Sequence, residues 1–553
     1  MPVENTEISL RKACASTPQL ELKDLQAWQP QFQRLPFSEA ARKRCALFRT
    51  STASAPLQWV TTDFPDVDAI AWARTRFGQI EVHSVASQTF DAWLSHAEHS
   101  MTALEGLAGL NSDSLPKAVG SEQSISDEHL SLRGIDASQS PAVRFVNSTL
   151  YDAMKMGASD IHLESNPVGL VVKFRVDGVL TAMHSLSAGA SDVSLAEQVI
   201  SRIKVMAQLD IAERRIPQDG RLQIQFGDQA RARTIDVRVS IMPSIHGEDA
   251  VLRILDRQHL AQSLAGLTLQ KLGYDASTQH ALKALCRKPH GMLLVTGPTG
   301  SGKTTTLYAA ITETHESRDK VITIEDPVEY QLPGVLQIPV NERKGLTFAK
   351  GLRSILRHDP DKILVGEIRD AETAQIAVQS ALTGHLVFTT VHANNVFDVV
   401  GRFEQFGIDA YTLASAMNGV LAQRLLRKLC EQCAQPMAAS DAQAVHQQML
   451  TDLVYQRAWD QMHELRASEK EQPRFLRPVG CEHCRGTGYL GRFALGELFT
   501  LTSQAKALIA RKASQAELQH EAQRAGWRSM KHQAALAAIQ GRTSLDEANR
   551  VAG

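Results

Sequence analysis

Gly297-Pro298-Thr299-Gly300-Ser301-Gly302-Lys303-Thr304, continued by Thr305, is the stretch whose reading decides the rest of the chain. The apolar run Met292-Leu293-Leu294-Val295-Thr296 precedes it and Thr306-Leu307-Tyr308-Ala309-Ala310-Ile311 follows, so the order is strand, glycine loop, helix. The loop has the form G-x-x-x-x-G-K-[ST], whose glycines let backbone N–H groups curl around a polyphosphate. The opening of the helix presents further unpaired N–H groups and a positive dipole end to the same anion. Lys303 is then expected to reach the β- and γ-phosphates of ATP, and the Thr304 hydroxyl to ligate Mg²⁺. A flexible turn between a buried strand and a surface helix is the competing reading, and the strand-loop-helix context weighs against it.

At 553 residues the chain exceeds one core and is expected to form about three or four domains. Charged residues make up 22 % and the formal net charge is -1, so no bulk attraction to nucleic acid is implied. The N-terminus lacks a basic-then-apolar leader, and no apolar stretch reaches the roughly 18 residues of a spanning helix, so a cytosolic location is expected. Of the 7 cysteines, four form two C-x-x-C pairs, Cys430/Cys433 and Cys481/Cys484, while Cys14, Cys45 and Cys286 read as plain thiols. Two such knuckles can close a tetrahedral Cys₄ site for Zn²⁺, which leaves no position open to substrate and is therefore structural. A redox pair is the alternative, and Gly486 and Gly488 just after the second knuckle favour metal.

Taken in order, residues 1–110 read as a polar lead-in and a small mixed domain, with a helix at Ser38–Arg44 and short strands at Leu57–Val60 and Gln79–Val82. Residues 111–140, rich in Ser, Gly, Asp and Gln, bury too little to fold and read as a linker. Residues 141–260 read as an α+β domain: an apolar-periodic helix from Pro141 to Met154 stopped at Gly157, strands flanking the Asp177-Gly178 hairpin turn, a helix over Val193–Leu209, a turn at Pro217–Arg221 and a strand at Thr234–Ile241. Arg221 and Arg238 read there as solvated sheet residues. Residues 261–553 alternate helices with wholly apolar strands, which predicts a parallel sheet covered on both faces.

Ligands of such sheets lie at the carboxyl ends of the strands. Val321–Ile324 runs into Glu325-Asp326, Lys362–Gly366 into Glu367, and Leu386–Thr390 into His392. Glu325 is the expected general base, and Glu367 is expected to hold Mg²⁺ through water or polarise the attacking water. Their plainer readings are a turn charge and a helix N-terminal carboxylate. His385 at that third strand's start and His392 at its end are expected to report the γ-phosphate to a subunit interface, against the plainer reading of structural histidines. Arg353 and Arg357 share one helix face, where a salt-bridged surface is the plainer reading.

Thr323-Ile324-Glu325-Asp326-Pro327-Val328-Glu329, Leu364-Val365-Gly366-Glu367-Ile368-Arg369-Asp370, and Thr383-Gly384-His385 through His392 resemble the Asp box, Walker B motif and His box of secretion ATPases. With the glycine loop and four cysteines, the chain from about Pro141 onward resembles the type II secretion and type IV pilus assembly ATPases. Ser159–Glu164 and Arg214–Arg221 resemble that family's second N-terminal domain. The resemblance implies a RecA-like P-loop ATPase domain preceded by a PAS-like domain and a small N-terminal domain, assembled as a homohexamer. It implies Arg221, Arg238, Arg353 and Arg357 facing the phosphates, against the bland reading above. It further implies a cytoplasmic motor, peripheral at the inner face of the plasma membrane, that acts on a polytopic inner-membrane platform protein. The N-terminal domain would dock on the cytoplasmic part of an inner-membrane assembly protein. A DNA-translocating conjugation-type ATPase and a non-hydrolysing nucleotide-gated scaffold compete; the near-neutral charge weighs against the first and the intact acidic residues against the second.

Overall fold

The computed structural model describes residues 20–32, 34–35, 37–50, 55–62, 67–100, 129–130, 140–167, 169–187, 190–226, 233–256, 266–438, 452–469 and 475–553. Two compact units divide the chain, Met1–Gln258 and His259–Gly553. The expected domain boundary at residues 260–261, the lead-in before residue 20, Cys14 and most of the expected linker lie outside the described residues.

In the first unit, α1 (Leu22–Ala27), β1 (Gln29–Pro30), α2 (Phe37–Lys43), β2 (Cys45–Arg49), β3 (Leu57–Thr61), α3 (Val67–Phe77), β4 (Ile80–Ser84) and α4 (Ser87–Ser100) build a small mixed sheet of order β1-β2-β3-β4. Every residue of β3 is buried, because one apolar cluster around Phe48, Phe90 and Trp93 covers one face and another around Trp59, Ile70 and Phe77 the other.

A second sheet follows from β5 (His129–Leu130), α5 (Pro141–Lys155), β6 (Asp160–Asn166), β7 (Gly169–Val176), β8 (Val179–Ser187), α6 (Ala190–Met206), β9 (Gln218–Phe226), β10 (Arg233–Ser244) and β11 (Gly247–Leu255), in the order β5-β9-β10-β11-β6-β7-β8. Its inward side chains, among them Ile161, Phe174, Leu222, Val237 and Leu252, pack against Phe145 and Leu150 of α5 and Val199 and Ile203 of α6. Asp177 and Gly178 take positive φ of 48° and 82°, as the type I′ turn between β7 and β8 requires.

Within the stretch read as linker, His129 and Leu130 form β5, which pairs in parallel with Gln225 and Phe226 of β9. One expectation needs correction. The stretch read as a turn at Pro217–Arg221 is mostly strand. Gln218 closes the preceding loop with its side chain, donating to Asp210 O at 3.0 Å and Glu213 O at 2.8 Å. Gly220 pairs with Val239 within the strand, and the position takes glycine because a Cβ there would stand 2.9 Å from Ala207 O.

The second unit is a seven-stranded sheet between two helical layers. Its strands are β12 (Gly291–Thr296), β13 (Val321–Glu325), β14 (Leu336–Pro339), β15 (Lys362–Val365), β16 (Leu386–Val391), β17 (Met417–Leu429) and β20 (Tyr489–Thr500), ordered β14-β13-β15-β16-β12-β17-β20, while β18 (Gln435–Pro436) and β19 (Leu476–Arg477) form a separate small pair. The five pairings from β14 to β17 are parallel and only β20 runs antiparallel, on β17. The helices in order are α7 (Leu269–Leu272), α8 (Ala276–Cys286), α9 (Lys303–Thr314), α10 (Phe348–Ile355), α11 (Ala371–Leu382), α12 (Asp398–Gln405), α13 (Ala410–Ala416), α14 (Leu453–Glu469), α15 (Ser503–Ala510), α16 (Gln515–Arg524), α17 (Met530–Ile539) and α18 (Leu545–Ala552). Alternation along β12 shows why these strands are apolar throughout: Met292 and Leu294 pack with α10 and α11, Leu293 and Val295 with α8 and α9. Among the described residues no helix is long and apolar enough to cross a membrane.

Candidate nucleotide site and cysteine cluster

The loop from Gly297 to Gly302 leaves the carboxyl end of β12, and α9 begins at Lys303. Gly300 and Gly302 take φ of 77° and 80°, a region that side chains disfavour. At Gly297 a Cβ would stand 2.4 Å from Gln423 O, so close approach of β17 also demands glycine. The loop is tied down from outside the motif: Gln423 Nε2 donates to Ser301 O at 2.6 Å, and the buried Tyr274 hydroxyl donates to Gln423 Oε1 at 2.8 Å. Lys303 lies back across its own loop, donating to Gly297 O at 3.0 Å and Pro298 O at 3.1 Å. Burial pushes its ammonium below the usual lysine range, with the charge of Glu367 opposing and that of Arg424 reinforcing.

Two features fit this loop to an oxyanion. Ser301 is 4 % exposed, yet its Oγ finds no hydrogen-bond partner among the described residues. No side chain caps α9, so the N–H groups of its first turn, which carries Thr304 and Thr305, remain open to an anion. Thr304 brings a half-buried hydroxyl to that turn, a donor type suited to Mg²⁺.

The loops after β12, β15 and β16 are stitched together. Thr296 Oγ1 donates to Ala393 O at 2.8 Å and accepts from Ala393 N at 2.9 Å, while Thr390 Oγ1 donates to Gly366 O at 2.8 Å. His392 Nε2 thereby stands 3.5 Å from Glu367 Oε2, and Arg369 donates to the other oxygen of Glu367. Glu325, at the end of β13, is 2 % exposed with both carboxylate oxygens occupied. Thr323 Oγ1 donates to Oε1 at 2.6 Å, Gln337 Nε2 to the same oxygen at 3.2 Å, and the Tyr308 hydroxyl of α9 to Oε2. As placed here, Glu325 ties its strand to α9 and offers no open oxygen to a water.

The remaining expected residues make contacts of their own. His385 stands at the amino end of β16, its Nδ1 3.1 Å from Ser380 O and its carbonyl accepting from Gly291 N. A six-residue strand at about 3.3 Å per residue puts it roughly 20 Å from the carboxyl end that bears His392. The two histidines therefore do not act at one phosphate of one subunit. Arg353 pairs with Glu372 at the start of α11 at 2.6 Å, and Arg357 donates to Arg353 O at 3.0 Å; both are exposed. Arg221 and Arg238 belong to the first unit, directly opposite each other on β9 and β10. The row continues through Arg253 and Asp160 to Arg175. Asp160 takes Arg253 at 2.9 Å and lies 3.8 Å from Arg175, leaving Arg221 and Arg238 without an ion pair among the described residues.

The sequence reading missed Tyr274, Tyr308, Gln423 and Arg424. A signal existed for the last two: a polar pair interrupting the apolar run Val420-Leu421-Ala422 and Leu425-Leu426.

Cys430 immediately follows β17 and Cys484 closely precedes β20. The four Sγ atoms lie within 4.8 Å of one another, with separations of 3.8 Å for Cys430–Cys481, 3.6 Å for Cys433–Cys484 and 3.7 Å for Cys481–Cys484. These exceed a disulfide bond and match the edge of about 3.8 Å of a tetrahedron with Zn–S bonds near 2.3 Å. Backbone N–H groups of Gly480, Cys481 and Gly488 point at the sulfurs at 3.2–3.3 Å. Burial raises the Cys484 thiol, but the N–H bonds from Cys481 and Gly488, with the neighbouring thiols of Cys433 and Cys481, outweigh it and lower it. The donor set fits Zn²⁺. Cys45 and Cys286 are buried single thiols.

Comparison with known proteins gives concordant results. The family model described as Type II/IV secretion system protein matches residues 136–550. The type II secretion system protein E of Pseudomonas aeruginosa is 40 % identical over 524 residues, spanning 94 % of this chain and 96 % of its own. The type II secretion system ATPase E of Vibrio cholerae is 39 % identical over 528 residues, with 94 % and 96 % covered. Among solved structures, the Yersinia pseudotuberculosis ATPase DotB matches 80 % of this chain and 98 % of its own, with a TM-score of 0.50 at 18 % identity, and so bears on the fold alone.

Proposed function

The chain belongs to the type II/IV secretion system protein family and is an ATPase, and from that premise we propose that it is the homohexameric cytoplasmic motor of a type II secretion system. Peripheral at the inner face of the plasma membrane, it hydrolyses ATP to move a polytopic platform protein and extend a pseudopilus. The first small domain docks on the cytoplasmic part of an inner-membrane assembly protein. Two relatives named for type II secretion, each covering 94 % of the chain, favour this over a pilus or a DNA translocator.

The observation that carries the chemistry is Lys303 laid across the carbonyls of Gly297 and Pro298, above a loop with an unmet Ser301 hydroxyl and an uncapped helix start. There the loop N–H groups and Lys303 would grip the phosphates, while Thr304, with Glu367 through water, would hold Mg²⁺, which would supply charge neutralisation to the phosphates. Hydrolysis needs a water aligned with the γ-phosphorus, and Glu367, beside His392, orients it in this reading. Glu325 takes the proton once its carboxylate exchanges the Tyr308 hydroxyl for that water, since catalytic contacts commonly tighten only with substrate bound. Arg221 and Arg238, like charges set opposite each other, are unfavourable without an anion between them. In the ring they meet the γ-phosphate, with Arg353 and Arg357 adding positive charge. The cysteines hold Zn²⁺ as a structural clamp.

Release of phosphate from ATP by the full chain tests the reading. Lys303→Ala should abolish turnover while leaving the melting temperature and oligomeric state unchanged; appreciable hydrolysis by that variant overturns it.

A further inference from the structure

Arg424 sits in mid-strand on β17, between β12 and β20, where a half-buried charge is costly without a partner. Its guanidinium donates to Gln423 O at 3.2 Å and Asn394 O at 3.2 Å, two neutral carbonyls, and forms no ion pair among the described residues. Glu497, whose charge reaches it, is buried and accepts a hydrogen bond from Met530 N at 2.8 Å.

The surroundings place this cation on the phosphate loop. One guanidinium nitrogen would stand 3.4 Å from a Cβ built on Gly297, the residue whose carbonyl Lys303 holds. Asn394 follows Ala393, the residue fastened to Thr296, and lies two positions after His392. Arg424 therefore stands between the start of the loop and the turn that carries His392 toward Glu367. Two cations, neither ion-paired within the described residues, face one loop, an arrangement that favours a multiply charged anion over an empty site. Two of the five guanidinium donors are used, leaving a planar fork suited to phosphate oxygens.

We infer that Arg424 is a further phosphate-contacting residue, supplied by the same subunit, that adds a fixed positive charge beside Lys303 to the terminal phosphate of bound ATP. The inference rests on the ATPase reading above. Its rival is a purely structural clip between the carbonyls of residues 394 and 423.

Three variants of the full zinc-loaded chain, Arg424→Ala, Arg424→Gln and Arg424→Lys, separate the two. Glutamine can still donate to a backbone carbonyl but carries no charge, whereas lysine keeps the charge and loses the fork. For a phosphate contact, Arg424→Gln and Arg424→Ala lower kcat on the order of 10²-fold with an unchanged melting temperature. Affinity for AMP-PNP then falls more than affinity for ADP, and Arg424→Lys retains more activity than Arg424→Gln. Wild-type kcat in Arg424→Gln, or equal losses of AMP-PNP and ADP affinity together with a lowered melting temperature, overturns the inference and leaves the ATPase reading intact. A wild-type chain that neither hydrolyses ATP nor binds AMP-PNP overturns both.

Discussion

At the scale of single residues, the contact between Tyr308 and Glu325 joins the helix after the phosphate loop to the end of β13. Burial first and the charge of Glu325 second hold the Tyr308 hydroxyl well above the usual phenol range, so it remains a donor at working pH. Removing it leaves one oxygen of Glu325 without that donor while Thr323 and Gln337 still hold the other. Tyr308→Phe should therefore cost about 1–2 kcal/mol of stability and keep or raise kcat, whereas Glu325→Gln should abolish turnover. Steady-state kinetics and thermal melts on the same preparations check this. If Glu325→Gln turns over normally but melts earlier, Glu325 is only an anchor.

At the scale of elements, the end of β17 is fastened twice, to the start of β20 and to α18. The cysteines close one fastening. Metal analysis should give about one zinc per chain, with loss of the metal in Cys481→Ser, since a closed tetrahedral site cannot spare a thiolate. Metal-free protein after anaerobic purification would refute this. The second fastening is Glu547 on α18, 1 % exposed, which accepts from Arg427 N at 3.1 Å, Arg427 Nη2 at 2.8 Å and Arg550 Nη2 at 2.7 Å. Burial alone would raise its carboxyl, but Arg550 and Arg427 outweigh burial and lower it from the ordinary 4.5 to about 2. A folded-state value below the unfolded one stabilises fully above the unfolded value and loses that stabilisation as pH falls through the folded one. Stability should thus drop between pH 4.5 and about 2. Glu547→Gln should be less stable at pH 7 by on the order of 2–3 kcal/mol and show a flatter acid limb in pH-dependent melts.

At the scale of the whole molecule, Arg221 and Arg238 lie in one compact unit and Lys303 in the other. A catalytic role for them would be worth roughly 10³-fold or more in phosphoryl transfer. Arg221→Ala should leave ATP affinity nearly intact and lower kcat steeply, and Arg221→Lys should rescue little, because a point charge does not replace the planar fork. If the chain assembles as proposed, mixed assemblies add a second readout: doping Arg221→Ala subunits into Lys303→Ala subunits should restore some turnover if the arginine acts on a neighbouring subunit's nucleotide. An unchanged kcat in Arg221→Ala would remove that residue from the site.

The phosphate loop and the parallel sheet are legible in the chain itself, because both depend on local physics. Gly300 and Gly302 supply backbone angles that side chains disfavour, and a strand covered on both faces must be apolar at every position. Each C-x-x-C knuckle is likewise a local turn. What lies opposite the loop is not local. Gln423 reaches Ser301, and Tyr274 reaches Gln423, from far along the chain. The turn expected at Gly220 fails for the same reason, since that glycine answers to Ala207 across the packing of α6 on the sheet. Sequence by itself determined which backbone could hold a phosphate; the packing of β17 and α9 decided which side chains surround it, because contacts between distant segments are set by how helices and sheet close on one core.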